Sequence, residues 1–194
     1  MRHGEAVNNV LFILSSSPRL FPLTARGRRQ VETSARALQA ANISKIYSSP
    51  VRRARETADR VGIVLGVPLV IEDRLREIEF GTWFEVRPIF SYIHAFHSFK
   101  ERFRLSKRGT ETLRHVRDRM LHALHDIDNA HQDERILIVS HSDPLWLLKA
   151  NLLGLNEKQA IKERHYLSLA KAEVQRVIDT GSSVRFETVA RPKR

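Results

Sequence analysis

One continuous apolar run, Ile136-Leu137-Ile138-Val139, followed by Ser140 and His141, constrains this chain more than any other feature. A strand that is apolar at successive positions is buried on both faces, which implies a parallel sheet covered by helices on each side. The rest of the chain alternates in the same sense. Residues 43–47 and 67–71 read as short strands, and residues 135–140 as the strand just described. Thr24 is a good N-cap for a helix over 25–41, with Val31, Ala35 and Leu38 at helical spacing. A second helix spans 51–65, with Ala54, Thr57, Ala58 and Val61 on its inner face. Helices are also expected over 87–105, 110–130 and 144–153, and a hairpin over 172–178 and 184–189 around Gly181-Ser182. Residues 10–22, with Ser15-Ser16-Ser17-Pro18 and Pro22, read as a surface loop. Residues 75–85 look irregular around Gly81 and Trp83. The pattern predicts an α/β fold, a three-layer αβα arrangement with a mostly parallel sheet. No repeat or linker divides it, so a single domain over residues 1–194 is expected.

In such sheets ligands sit at the carboxyl ends of the strands. His141 lies just beyond one strand, residues 48–53 just beyond another, and Arg2-His3 would end a third. Three distant segments therefore converge on one edge.

Composition narrows the partners. The net charge of +11 favours anions: phosphorylated metabolites, nucleic acid or acidic lipid. A merely solvated basic surface is the plain alternative. The stretch Lys100, Arg102, Arg104, Lys107 and Arg108, interleaved with Phe103, could contact a phosphate backbone. No segment approaches the roughly 18 apolar residues of a membrane span, and the absence of Cys suits a reducing compartment. A cytoplasmic protein without a membrane partner is the expectation. The nine His residues are scattered, and His122 and His125 beside Asp126 make a poor metal set. No metal or cofactor is expected.

The residues near the converging edge suit phosphoryl transfer. A neutral imidazole is a nucleophile toward phosphorus, which His3 could supply. Planar guanidinium groups can grip equatorial phosphoryl oxygens, and Arg2, Arg52, Arg53 and Arg55 are candidates. An alkoxide leaving group needs a proton from a carboxyl whose pKa burial has raised. Glu72, Asp73, Glu77, Glu79 and Glu85 compete for that part. His141 could stabilise the transferring charge.

Four motifs occur in order: Arg2-His3-Gly4-Glu5, Ser49-Pro50-Val51-Arg52-Arg53-Ala54, Leu75 to Trp83 (Leu-x-Glu-Ile-x-Phe-Gly-x-Trp), and Val139-Ser140-His141. Together they resemble the histidine phosphatase superfamily, also called phosphoglycerate-mutase-like. The resemblance implies that His3 is the phosphorylated residue, that Arg2 and Arg53 bind phosphate, and that Glu77 is the acid. It also implies a protonated His141 beside the phosphoryl group, and substrate contacts at Asn9 and Thr24. The implied activity is phosphomonoester hydrolysis on a phosphorylated small molecule or protein. A mutase is the runner-up, because the same residues serve both, but mutases of the family carry a longer insertion than the stretch from Glu77 to Gly109. A basic nucleic-acid-binding protein or an impaired homologue is the alternative class.

The sequence departs from the family at three places. Ser142 stands where Gly usually follows the second His, and Trp83-Phe84-Glu85 replaces Trp-Glu-Gly. The apolar strand that leads into Arg-His-Gly is represented by Met1 alone. The first core strand is therefore expected to be missing, with unpaired edges, a loosely anchored His3 and an added ammonium charge beside Arg2.

Overall fold

The computed structural model describes residues 1–193. Its centre is a parallel sheet in which β1 (Lys45–Ser48) lies between β2 (Leu69–Ile71) and β3 (Ile136–Val139). Side chains alternate across it as strand geometry requires. Ile46, Leu137 and Val139 point into one apolar layer, and Tyr47 and Ile138 into the other.

The first layer is aliphatic and small. Helix α2 (Ala25–Ala37) starts where Thr24 Oγ1 accepts from Gly27 N at 2.9 Å. It is shorter than predicted, because residues 39–41 tighten into a 3-10 turn before Asn42 adopts φ 50°. Helix α3 (Arg52–Leu65) ends at Gly66 in the left-handed conformation. These two helices bring Val31, Ala35, Ala54, Ala58 and Val61 against the sheet. Gly27 permits the closest approach: a Cβ there would lie 1.9 Å from the Glu5 carbonyl oxygen. Any larger residue would push α2 off the loop that follows His3.

The second layer is aromatic. Helices α6 (Leu113–Ala130) and α7 (Ser142–Leu152) enclose it with Phe80, Phe84, Tyr92, Phe96, Phe103 and Trp146. The helix expected over 87–105 does not form as one piece. Short α4 (Gly81–Phe84) and α5 (Ile89–Ile93) are followed by a 3-10 turn, Phe99–Phe103, capped by Ser98. Aromatic contacts rather than helix propensity organise this stretch, since Tyr92 meets Phe80, Phe84 and Phe96 edge-on. Helix α8 (Glu157–Leu167) was not anticipated. Strands β4 (Val174–Asp179) and β5 (Val184–Ala190) form the expected antiparallel hairpin.

Ahead of α1 (Val7–Val10), Met1–His3 lies beside β3 where the expected strand would run, with a single parallel bridge between Arg2 and Ser140. Of the consequences expected of a missing strand, the unpaired edge is observed in part, since among the described residues no strand lies outside β3 and the sheet stops at three strands; the loose anchoring of His3 does not follow. His3 N donates to Ser140 O at 3.1 Å and His3 O accepts from Ala172 N at 3.1 Å, so both sides are paired and His3 is 2 % exposed. The Met1 amino group donates to Ile138 O at 2.7 Å. Burial lowers its pKa to about 5, against the opposing pull of Glu173, so it adds no charge near Arg2 at neutral pH.

Candidate active site

Four segments meet at the carboxyl end of the sheet, as the topology predicts. His3 follows the Met1–Arg2 stub, Arg53 opens α3 beyond β1, Glu77 follows the turn after β2, and His141 follows β3. The His3 and His141 rings are 5.1 Å apart at their centroids.

The His3 ring is oriented by a neighbouring backbone carbonyl. His3 Nδ1 lies 2.6 Å from Gly4 O, and a carbonyl can only accept, so the proton sits on Nδ1. Nε2 is left with its lone pair, toward which Arg53 Nε donates at 3.2 Å. Burial, then the charges of Arg53 and Arg2, hold the His3 pKa well below 6.5 and the ring neutral.

Arg53 is 2 % exposed and spends its other donors unevenly. Nη2 donates to Ser15 O at 3.1 Å and lies 3.7 Å from Glu77 Oε2, while Nη1 is buried with no protein partner. Arg2 Nη1 donates to Leu169 O at 2.8 Å, and its Nε is likewise unpartnered. Burial lowers the Arg53 pKa to about 10, which still leaves it charged.

His141 is fully buried. Its Nε2 lies 2.7 Å from Ser49 Oγ, which itself accepts from Val51 N at 3.2 Å. With Val51 N donating to Oγ, Nε2 is the acceptor left for the Ser49 hydroxyl among the described residues; assigning the bond that way puts the imidazole proton on Nδ1. Nδ1 lies 3.8 Å from Glu77 Oε2 and has no hydrogen-bond partner. Burial, then Arg53 and His3, push the His141 pKa well below 6.5. Protonation awaits a negative neighbour.

Glu77 is 13 % exposed at its side chain. Burial raises its pKa to about 7, with Asp143 adding to the shift and Arg53 opposing it. Asp143, two residues after His141, stays ionised: burial works against it, but Arg102 and Arg164 outweigh that and bring it to about 2. Arg102 Nη2 donates to Asp143 Oδ2 at 3.1 Å, Arg164 Nη2 to Oδ1 at 2.9 Å, and Trp146 Nε1 to Oδ1 at 3.1 Å.

Two sequence candidates are used structurally. Thr24 Oγ1 caps α2 and donates to Glu5 Oε1 at 2.8 Å, so its hydroxyl is spent within the protein. Asn9 Oδ1 closes back on Ala6 N at 3.1 Å. The sequence assigns no role to Ser49, Ser15 or Asp143, and it offers Glu85 only as a competing acid. Ser48-Ser49-Pro50 was visible as a turn, but only the fold shows that Ser49 faces the second imidazole. Among the described residues no group of three or more His, Cys, Asp or Glu could hold a metal. Asp126 pairs with Arg74 at 2.5 Å, and His125 with Asn129. Among the described residues no helix is long and apolar enough to cross a membrane.

The sequence profile of the histidine phosphatase superfamily (branch 1) matches residues 1–188. The chain belongs to that family. It is 28% identical to Phosphoserine phosphatase 1 of Hydrogenobacter thermophilus over 138 residues, 69% of this chain and 65% of that protein, so the match spans just under two thirds of the relative. It is 30% identical over 163 residues to an Escherichia coli protein named Probable phosphoglycerate mutase GpmB, covering 80% of this chain and 74% of the relative. The alpha-ribazole phosphatase from Shigella flexneri superposes with a TM-score of 0.81 over 97% of this chain and 93% of that one, at 23% identity. That likeness speaks to the fold. Histidine phosphatase members thus include proteins named for both hydrolysis and mutase activity.

Proposed function

We propose that this chain is a phosphomonoesterase working in two steps through a phosphohistidine on His3. One observation carries the reading. Around His3, whose Nε2 keeps its lone pair, three of the four buried donors without a partner among the described residues belong to neighbouring side chains: Arg2 Nε, Arg53 Nη1 and His141 Nδ1, the fourth being Arg164 Nε. Buried donors are ordinarily paired. Three left over together suit an anion with several acceptor oxygens, which a phosphoryl group is. Two guanidinium groups and an imidazole supply the positive charge, so the reaction as proposed needs no metal.

In the first step His3 Nε2 attacks phosphorus, and the P–N bond forms as the ester P–O bond breaks. Arg53 exchanges its contact with Nε2 for a phosphoryl oxygen. The dianion beside His141 favours protonation of that ring and takes a hydrogen bond from Nδ1. Glu77, protonated below about pH 7, gives its proton to the leaving oxygen. In the second step water attacks phosphorus while the Glu77 carboxylate takes its proton. The P–N bond breaks, releasing inorganic phosphate and restoring His3.

Hydrolysis is favoured over mutase chemistry by the short stretch from Glu77 to Gly109. The substrate class is a phosphorylated small molecule or protein. His3→Ala tests the assignment: turnover of para-nitrophenyl phosphate and acid-labile phosphoryl labelling should both disappear. Labelling that survives the substitution overturns the nucleophile. Phosphoglycerate isomerisation exceeding phosphate release would favour the mutase reading. Salt-sensitive, length-dependent polynucleotide binding without stoichiometric vanadate binding would favour the nucleic-acid alternative.

A further inference from the structure

We propose that Glu85 is a positioning residue for Arg53, acting through the turn at Ser15 and Ser16. The inference rests on the reading of Arg53 as a phosphate ligand. At the departure Trp83-Phe84-Glu85, Phe84 fills the aromatic layer at 1 % exposure, and the carboxylate one residue on faces Ser15 and Ser16.

The Glu85 carboxylate takes three donors from that turn. Oε1 accepts from Ser15 Oγ, and Oε2 accepts from Ser16 N and Ser16 Oγ, each at 3.0 Å. Ser15 is 1 % exposed, and its carbonyl is the acceptor for Arg53 Nη2. A planar guanidinium with Nε on His3 and Nη2 on a fixed carbonyl cannot rotate, and its Nη1 is aimed in one direction. The carboxylate thus sets the guanidinium without touching it.

The backbone around Glu85 carries a second sign of the same task. Val86 has φ 58°, a conformation that a β-branched residue adopts only under strain. Val86 N donates to Leu14 O at 3.0 Å, Leu14 N to Arg87 O at 2.9 Å, and Ile89 N to Phe12 O at 2.9 Å. Strain of this kind persists where the surroundings over-determine the chain, and it clusters at functional sites. Here the bonds from residues 12–16 to 85–89 hold it next to the carboxylate that organises the turn.

Orthovanadate binding, measured by calorimetry on the full chain, reads the clamp without requiring turnover. Glu85→Ala should weaken binding about tenfold to a hundredfold, the scale on which a small misplacement acts. Arg53→Lys should weaken it comparably. In the Arg53→Lys background, Glu85→Ala should cost less than about twofold more, because the clamp has nothing left to aim. Equal losses in both backgrounds would mean a general structural role, and wild-type binding by Glu85→Ala would mean no role; either overturns the proposal. If Glu85→Ala does not melt cooperatively, Glu85→Gln, which keeps the shape and one acceptor oxygen, takes its place in the same cycle with a smaller expected loss. Failure of the unmodified chain to bind orthovanadate sinks both this inference and the phosphate site. Binding without turnover sinks the phosphatase reading alone.

Discussion

The two apolar layers on either side of the sheet differ in material and in what they deliver to the site. The aliphatic layer under α2 and α3 is built of Ala35, Ala54, Ala58, Val31 and Val61, and it borders the segments that carry His3 and Arg53. The aromatic layer under α6 and α7 contains Leu75 and Ile78, which flank Glu77. Small side chains let helices approach closely and fix the groups proposed to meet phosphate. On the other side burial raises the pKa of the Glu77 carboxyl, the group proposed as the acid. One layer supplies geometry, and the other supplies a pKa.

The sharpest way to break this division is Glu77→Gln. Turnover of an alkyl phosphate, whose leaving group needs a proton, should fall about 10²- to 10⁴-fold. The loss on para-nitrophenyl phosphate should be much smaller. Equal losses on both would make Glu77 structural or place the limit at dephosphorylation; pre-steady-state release of para-nitrophenol separates the two.

Asp143→Asn asks whether the aromatic side also tunes that carboxyl. The Asp143 charge raises the Glu77 pKa, so removing it should shift the fall in activity with rising pH to lower pH. With the acid form required, kcat/KM on an alkyl phosphate at pH 7.5 should drop several-fold and recover as pH falls. An unmoved pH profile would exclude the coupling.

Ser142→Gly, which restores the residue the family usually carries, should change turnover by no more than about threefold. The backbone N–H at the start of α7 is present either way. A large gain would show that the Ser side chain narrows the site.

Ala58→Leu should leave the catalytic constants of the folded fraction nearly unchanged while destabilising the chain by about 1–3 kcal/mol, because it overpacks the aliphatic layer. Chemical denaturation checks it. A loss of activity without a loss of stability would mean that α3 transmits the strain directly to Arg53.

The sequence made the sheet and the helices bordering the site readable because burial leaves periodic signatures: the run into His141, the spacing in α3, the N-cap at Thr24. Helix α8 escaped because it buries little, Ala160 and Leu167 fully, and its stripe is weak. Its capping box, with Asn156 Oδ1 bound to Gln159 N and Gln159 Oε1 bound to Asn156 N, was the available signal. The aromatic stretch over 87–105 misled for the opposite reason, since its apolar content serves ring contacts rather than one helical face. At the site, motif order named His3, Arg53, Glu77 and His141, and these come together. It could not supply Ser49, Ser15 or Asp143, whose roles depend on contacts between segments far apart in sequence. Nor could it show that the pKa of His141 is lowered, because that follows from burial and from the positive charges that fold around it.

The unpartnered donors at Arg2, Arg53 and His141 also bear on how durable the chain is. Burying two guanidinium groups and an imidazole with donors unfilled costs folding free energy, so the native state is linked to whatever anion fills the place. A ligand that binds the folded form alone stabilises it by about 2.7 kcal/mol at one hundred times its Kd. Phosphate, the expected product, would then govern lifetime as well as turnover: a chain kept in phosphate would outlast one in a buffer without oxyanions, and depletion of phosphate would shorten its survival before any residue was altered.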